Sequence, residues 1–414
     1  MFKHLECGEG VTLAAVVTFI LILFAIPLGL LAQVAFQDGF GPFRDALGSR
    51  AVPRALWNSL ESAGLSACLA LLIGTSLGLI LGLMDVRGKG VFAFLFLIPM
   101  MIPPHVTAIA WIQALGPSSA LLQTVGLAPP LGTTHPLYSR EGVILLLGIQ
   151  HAPLVFLVVL AALRSLPREM SDAARVSGAP AGLMIRRVVI PLLAPTLIAG
   201  YALAFVSALG NFGIPALLGI PARYTTLPVL IWQRLASFGP SVLTDMAVIA
   251  SLVAVIAVVA VVLQLWLSSR RRNARIGPPQ PALDIRRGRS RGLVEGGLSV
   301  AILATLVLPI TALFTTALVP TYGVTRSLET LTFSNFAEVL FRQSVTARAF
   351  LNSTLVAATA AVLLACCAML VARYAAARQR GLRNLGTGLS AVAEMTYAIP
   401  GLVISVAFIL AFIK

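Results

Sequence analysis

Charge is scarce in this sequence. Only 11% of its 414 residues are Asp, Glu, Lys or Arg, where a soluble domain carries about 25%. A chain that is 58% hydrophobic, with a mean hydropathy of +0.95, lacks the polar surface to cover soluble cores of this total length. Acidic residues are scarcer still, 15 against 30 basic ones, and the formal charge is +15. That excess does not point to nucleic acid. A nucleic-acid binder carries its cations on one solvated face, and here they fall in short clusters between apolar runs. The four cysteines make no disulfide framework and show no metal-ligand spacing. Cys7 precedes the first apolar run, and Cys68, Cys366 and Cys367 lie inside such runs, where they read as small buried hydrophobes. There is no Ser-His-Asp order, no His-Glu-x-x-His and no phosphate-binding glycine loop. The chain is therefore not read as an enzyme, and we expect it to bind no cofactor and no metal of its own.

What the sequence has in quantity is apolar length. A helix needs about 20 apolar residues to cross the hydrocarbon of a bilayer. Nine stretches qualify, at 11–35, 56–84, 91–114, 142–163, 192–220, 242–268, 293–318, 351–372 and 389–413. Backbone groups in lipid must be satisfied internally, so such runs become helices. The ten-residue alternation of a β-barrel is absent. The first run is too long for the apolar part of a cleavable signal. These features predict an all-α polytopic membrane protein. With the N-terminus inside, twenty of the thirty basic residues fall in cytoplasmic segments, as the positive-inside rule requires.

The segment 269–292, SRRRNARIGPPQPALDIRRGRSRG, has no apolar face and reads as a cytoplasmic linker. It separates a six-span part, 1–268, from a three-span part, 293–414. The two parts resemble each other. Each opens with a span and a polar loop, then an Asn-Ser pair enters a span: Asn58-Ser59 and Asn352-Ser353. An Ile-Pro step follows in the next span, at Ile102-Pro103 and Ile399-Pro400, so that the Asn-to-Pro distances are 45 and 48 residues. This is the pattern of an internal duplication. The sequence stops inside an apolar run, FILAFIK, and we expect it to be truncated or its gene broken.

Between spans four and five lies RSLPREMSDAARVSGAPAGLMIRRVVIPLL. Pro167 suits a helix start, Gly178 a helix end and Pro180 a second start, so the stretch predicts a helix-turn-helix on the cytoplasmic surface. Pro191 marks the beginning of the next span. Ser171, Ala174 and Gly178 share one helix face with almost no side-chain bulk. Another protein's backbone could approach that face closely.

This stretch resembles the EAA loop of ABC importer permeases: Glu-Ala-Ala, three residues, Gly, nine residues, Ile, one residue, Leu-Pro. Here Asp172-Ala173-Ala174 is followed by Gly178, Val188 and Ile190-Pro191 at the same spacing, with Asp for Glu, Val for Ile and Ile for Leu. The resemblance implies the type I transmembrane fold of that family, with one complete six-helix half and the first three helices of a second. It implies a multi-pass inner-membrane permease whose loop 164–191 docks on a cytoplasmic ABC ATPase dimer that uses ATP and Mg. A periplasmic substrate-binding protein would deliver the solute. The docking residues would be Ser171, Asp172, Ala173, Ala174, Gly178 and Pro191.

NFGIPALLGIPARYTTLPVLIWQRL, at 211–235, and LTFSNFAEVL, at 331–340, are similar to permeases of the ferric-iron importer group, whose members commonly fuse two halves. Thiamine and 2-aminoethylphosphonate permeases share much of that layout. Polar groups within spans are candidates for the substrate path: Glu61, His105, Gln150, His151, Ser207, Asn211 and Glu394. Each has an alternative role as an interhelical hydrogen-bonding group. An ion-coupled secondary transporter is the competing class, but it would show several buried ionisable groups and leave the EAA-like loop unexplained.

Overall fold

The computed structural model describes residues 17–19, 21–130, 132–166, 173, 176–237, 239, 241–270, 291–321, 329–376, 383–384, 387–389 and 399–412. Most of the linker and Glu394 lie outside them. The described residues fold into helices joined by short turns. The main ones are α1 (Ile26–Ala35), α2 (Ala51–Leu83), α3 (Lys89–Met101), α4 (Pro104–Leu115), α5 (Arg140–Arg164), α6 (Ala181–Leu209), α7 (Leu227–Leu235), α8 (Val242–Ser269), α9 (Arg291–Ala317), α10 (Ser344–Ala375) and α11 (Gly401–Phe412). Among the described residues six of these are long and apolar enough to cross a membrane, or seven with α3 and its continuation counted as one. The chain is a multi-pass α-helical membrane protein.

Two compact units are present. In the first (Met1–Ala46, Phe238–Ala254, Thr332–Lys414), α1 packs against α11, and α10 is exposed along nearly its whole apolar length. The second (Leu47–Ser237, Val255–Leu331) is built on α2, α5 and α6.

In the second unit, the α2–α5 contact follows from a stripe of small residues. Ser59, Ala63, Ala67, Ala70, Gly74, Gly78 and Gly82 recur at three- and four-residue spacing, and all are buried. In a membrane, where lipid is as apolar as leucine, such stripes let two backbones approach and gain van der Waals contact. A Cβ at Gly74 would stand 2.6 Å from Ala152 O, one at Gly78 2.7 Å from Val159 Cγ1, and one at Gly82 2.6 Å from Leu163 Cδ1. The contact runs the length of both helices, so α2 and α5 both end at the side that carries the 164–180 loop. At that end Arg291 pairs with Asp85 at 2.9 Å, and Glu295 accepts the Arg87 backbone N–H at 2.8 Å.

Two expected spans differ from their sequence boundaries. The stretch 91–114 is not one straight span. It breaks between Met101 and Pro104, where the chain bends by 103°. Pro103 and Pro104 have no N–H to continue the ladder. The span expected at 192–220 instead begins at Ala181 and ends at Leu209. Pro191 does not mark its beginning. A π-turn at Ile185–Val189 precedes it, in which the Ile190 N–H reaches back five residues to Ile185 O. The widened turn carries the chain past a proline that would otherwise collide with the carbonyl four residues earlier. The same device stands at Leu303–Val307, before Leu308-Pro309, and at Leu21–Ala25, before Ile26-Pro27.

One cysteine expectation also fails: Cys68 and Cys366 are exposed, not buried. On an apolar helix the outward face is as apolar as the inward one, so composition does not tell them apart.

Candidate functional site

The loop between α5 and α6 is the first candidate. Ser171, Asp172 and Ala174 lie outside the described residues. Ala173 is exposed, and its carbonyl accepts the Ser177 N–H at 3.0 Å and the Ser177 hydroxyl at 2.8 Å. That is a last helical turn, closed by Gly178 at φ +73°. A left-handed residue after a helix is where glycine is favoured, since it has no Cβ to strain. No atom lies within 4 Å of where a Gly178 Cβ would project. After the turn, Pro180 O accepts the N–H groups of Leu183 and Met184 and α6 begins. Pro191 is exposed on α6 beyond the π-turn. The region thus offers outward-facing small residues next to Val176, which is 90% exposed.

The second candidate is the break in the membrane. Pro99 O and Ile102 O flank it, and the Gln150 side chain of α5 donates to both, at 3.0 and 3.1 Å. Gln150 is buried, and its Oε1 has no partner. His105 opens α4 on the far side of the break and is exposed. The turn after α6 presses on it: a Cβ at Gly213 would stand 2.7 Å from the His105 backbone N. Asn211 sits in the same turn, buried, with its Oδ1 accepting the Ile214 N–H at 3.2 Å as a cap for the next segment. His105, Gln150 and Asn211 are therefore carried by segments that meet at one place.

His151 and Ser207 are not brought into that group by any hydrogen bond described. The His151 ring is buried, and its Nδ1 lies 2.7 Å from Leu147 O. A carbonyl only accepts, so Nδ1 holds the proton and the ring is bonded within its own helix. Ser207 is half-buried on α6.

Glu61 belongs to a third place, at the end of α2 opposite the 164–180 loop. Its Oε1 is 2.6 Å from Arg140, at the start of α5, and its Oε2 takes the Tyr224 hydroxyl at 3.0 Å. The same hydroxyl lies 2.9 Å from Asn58 O. Asn58 Nδ2 donates to Thr225 O at 2.9 Å, and the Ser59 hydroxyl oxygen accepts the Leu227 N–H at 2.7 Å. Burial, then the neighbouring carboxylate, pushes the Tyr224 phenol well above its ordinary value. This knot ties the 221–227 turn onto the beginning of α2. The Asn-Ser pair was visible in the sequence; Tyr224 and Arg140 carried no signal of their own.

Residues 74–273 match the family of binding-protein-dependent transport system inner membrane components. The matched segment runs from within α2, through the EAA-like loop, to the end of α8. A Haloferax volcanii protein described as a molybdenum ABC transporter permease is 28% identical over 234 residues, covering 56% of this chain and 82% of the relative. A Salmonella typhimurium protein described as a 2-aminoethylphosphonate transport system permease is 28% identical over 219 residues, covering 51% of this chain and 76% of the relative. In fold, the chain is similar to a chain of a bacterial ABC transporter involved in alginate import. The TM-score is 0.53 at 24% identity, over 63% of this chain and 94% of that one.

Proposed function

We propose, on the premise that this chain is the inner-membrane permease of a binding-protein-dependent ABC importer, that it passes a small solute inward when a partner ATPase closes on the 164–191 loop. The observation that carries the reading is the family match, which contains that whole loop and the helices that flank it. A permease of this kind is not itself catalytic. ATP and Mg serve the partner, and the chain needs only a surface to take the thrust and a path to release the solute. Ala173 and Gly178 suit the surface, being exposed and without bulk. Ser171, Asp172 and Ala174 complete it by their spacing in the sequence. This reading puts the loop and the N-terminus in the cytoplasm and the Glu61–Arg140 end outside. The segment 269–292 then joins a first permease half to the beginning of a second.

For the solute two readings stand together. The relatives described for molybdenum and 2-aminoethylphosphonate support a small oxyanion. The likeness of 211–235 to ferric-iron importer permeases supports ferric iron. The deciding experiment is calorimetry on the periplasmic binding protein encoded beside this gene, titrated with molybdate, 2-aminoethylphosphonate and ferric iron. Nanomolar to micromolar binding of one compound names the solute. Co-purification of the neighbouring ATPase with this chain tests the permease role, and failure to associate would sink it.

A further inference from the structure

The break after Met101 needs a donor from outside its own helix. Pro103 has no N–H for Pro99 O, which keeps only a long bond from the Ile102 N–H at 3.3 Å, and the Val106 N–H turns to Pro103 O instead of Ile102 O. The Gln150 amide fills the gap, bridging the last turn of α3 and the residue beyond it. Its bonding runs through the NH₂ group alone, because Oε1 is unpartnered. Gln150 stands on α5, the helix that leads directly into the 164–180 loop, about 21 Å along the axis from Arg164. On the other side of the break, the 211–213 turn bears on the His105 backbone.

We propose that Gln150 is the positioning residue that carries displacement of the coupling loop into the broken span. The inference rests on the permease reading above. Pro153 interrupts α5 between Gln150 and the loop, but the α2–α5 seam packs on both sides of it, with Ala152 and Phe156 against Gly74, so the helix pushed at its loop end moves as a rod. The amide of Gln150 then moves with it and takes Pro99 O and Ile102 O along. The break is a hinge of a few residues, the kind of element that converts a small shift into a change of angle. Hydrogen bonds to its two carbonyls bias which angle is populated.

The test separates donor from shape. Gln150→Glu keeps the shape and, when ionised, has no donor. Gln150→Met keeps the length and is apolar. Gln150→Asn keeps the amide on a shorter arm. Each is made in the full chain, assembled in proteoliposomes with the neighbouring ATPase and binding protein, and offered 2-aminoethylphosphonate, molybdate and ferric iron. Gln150→Glu and Gln150→Met should keep ATPase association and basal hydrolysis. They should take up about tenfold less substrate per ATP, the effect of losing two hydrogen bonds on a two-state element. Gln150→Asn should recover part of the uptake. Wild-type uptake per ATP in Gln150→Glu and Gln150→Met overturns the proposal. So does a joint fall of association, basal hydrolysis and uptake, which marks a merely structural role. If the wild-type chain binds no ATPase and takes up none of the three probes, the permease reading itself is lost and the inference goes with it.

Discussion

Three of the four glycines along α2, Gly74, Gly78 and Gly82, make an internally controlled experiment. Each is replaced by alanine, which in a helix interior gains about 1 kcal/mol over glycine before contacts are counted. The contacts differ. At Gly74 the new Cβ meets backbone atoms of α5, Ala152 O at 2.6 Å and Phe156 N at 2.8 Å, which cannot rotate away. The helices must separate, and overpacking of this kind costs about 1–3 kcal/mol. With backbone on the far side the upper end applies, so Gly74→Ala should lose a net of about 2 kcal/mol. At Gly82 the obstacle is Leu163 Cδ1 at 2.6 Å, the tip of a flexible side chain. It can change rotamer, so Gly82→Ala should be neutral or gain up to about 1 kcal/mol. Gly78 faces Val159 Cγ1 at 2.7 Å, a β-branched side chain with little freedom, and should fall between. Reversible unfolding in mixed micelles with rising SDS, followed by helical circular dichroism, reads all three. The span from Gly74→Ala to Gly82→Ala should exceed about tenfold in the unfolding constant. If Gly74→Ala is as stable as Gly82→Ala, the two backbones do not meet as described and the seam argument is wrong.

At Gly178 the left-handed backbone penalises any side chain by about 1–2 kcal/mol, but there is open space for one. Gly178→Ala should therefore still co-purify with the ATPase while Gly178→Arg should not, and identical behaviour of the two would refute docking on that face. Glu61→Arg should slow uptake, and the exchange Glu61→Arg with Arg140→Glu should restore it; a failed rescue means the ion pair is incidental. Tyr224→Phe removes a hydroxyl that bonds Asn58 O and Glu61, at about 1 kcal/mol of stability by the same unfolding assay. Because the phenol sits above its ordinary value in the fold, its stabilising effect is complete below about pH 10 and fades as pH rises beyond that. The wild type should accordingly lose stability at alkaline pH more steeply than Tyr224→Phe.

The all-helical, membrane-spanning character was legible because it depends on apolar length, which a sequence states directly, while against nine expected spans the described residues hold six, or seven with the bent pair. The Asn58-Ser59 pair was legible as one member of a repeat, but its partners were not. Thr225 and Leu227 lie 167 and 168 residues away, and nothing local marks such a contact. Gln150 could be singled out as a polar group in a span, yet its task depends on carbonyls that lose their usual helical donors at prolines in another helix. The 103° bend was hidden for a related reason. A proline pair announces an interrupted ladder, but the angle is set by what packs on either side. Conversely, Gly178 was readable from one residue, since a helix end in the left-handed region is a local property.

The π-turn at Ile185–Val189 also changes how α6 must be read. One extra residue in a turn advances the helical wheel by about 100°. A lipid-facing stripe drawn from Ala181 through Leu209 on a single wheel would mix two azimuths. The π-turn before Pro309 imposes the same phase slip on α9. Cysteine-accessibility scans along either helix are therefore best fitted as two shorter wheels offset at the wide turn, with the proline as the marker of where the offset falls.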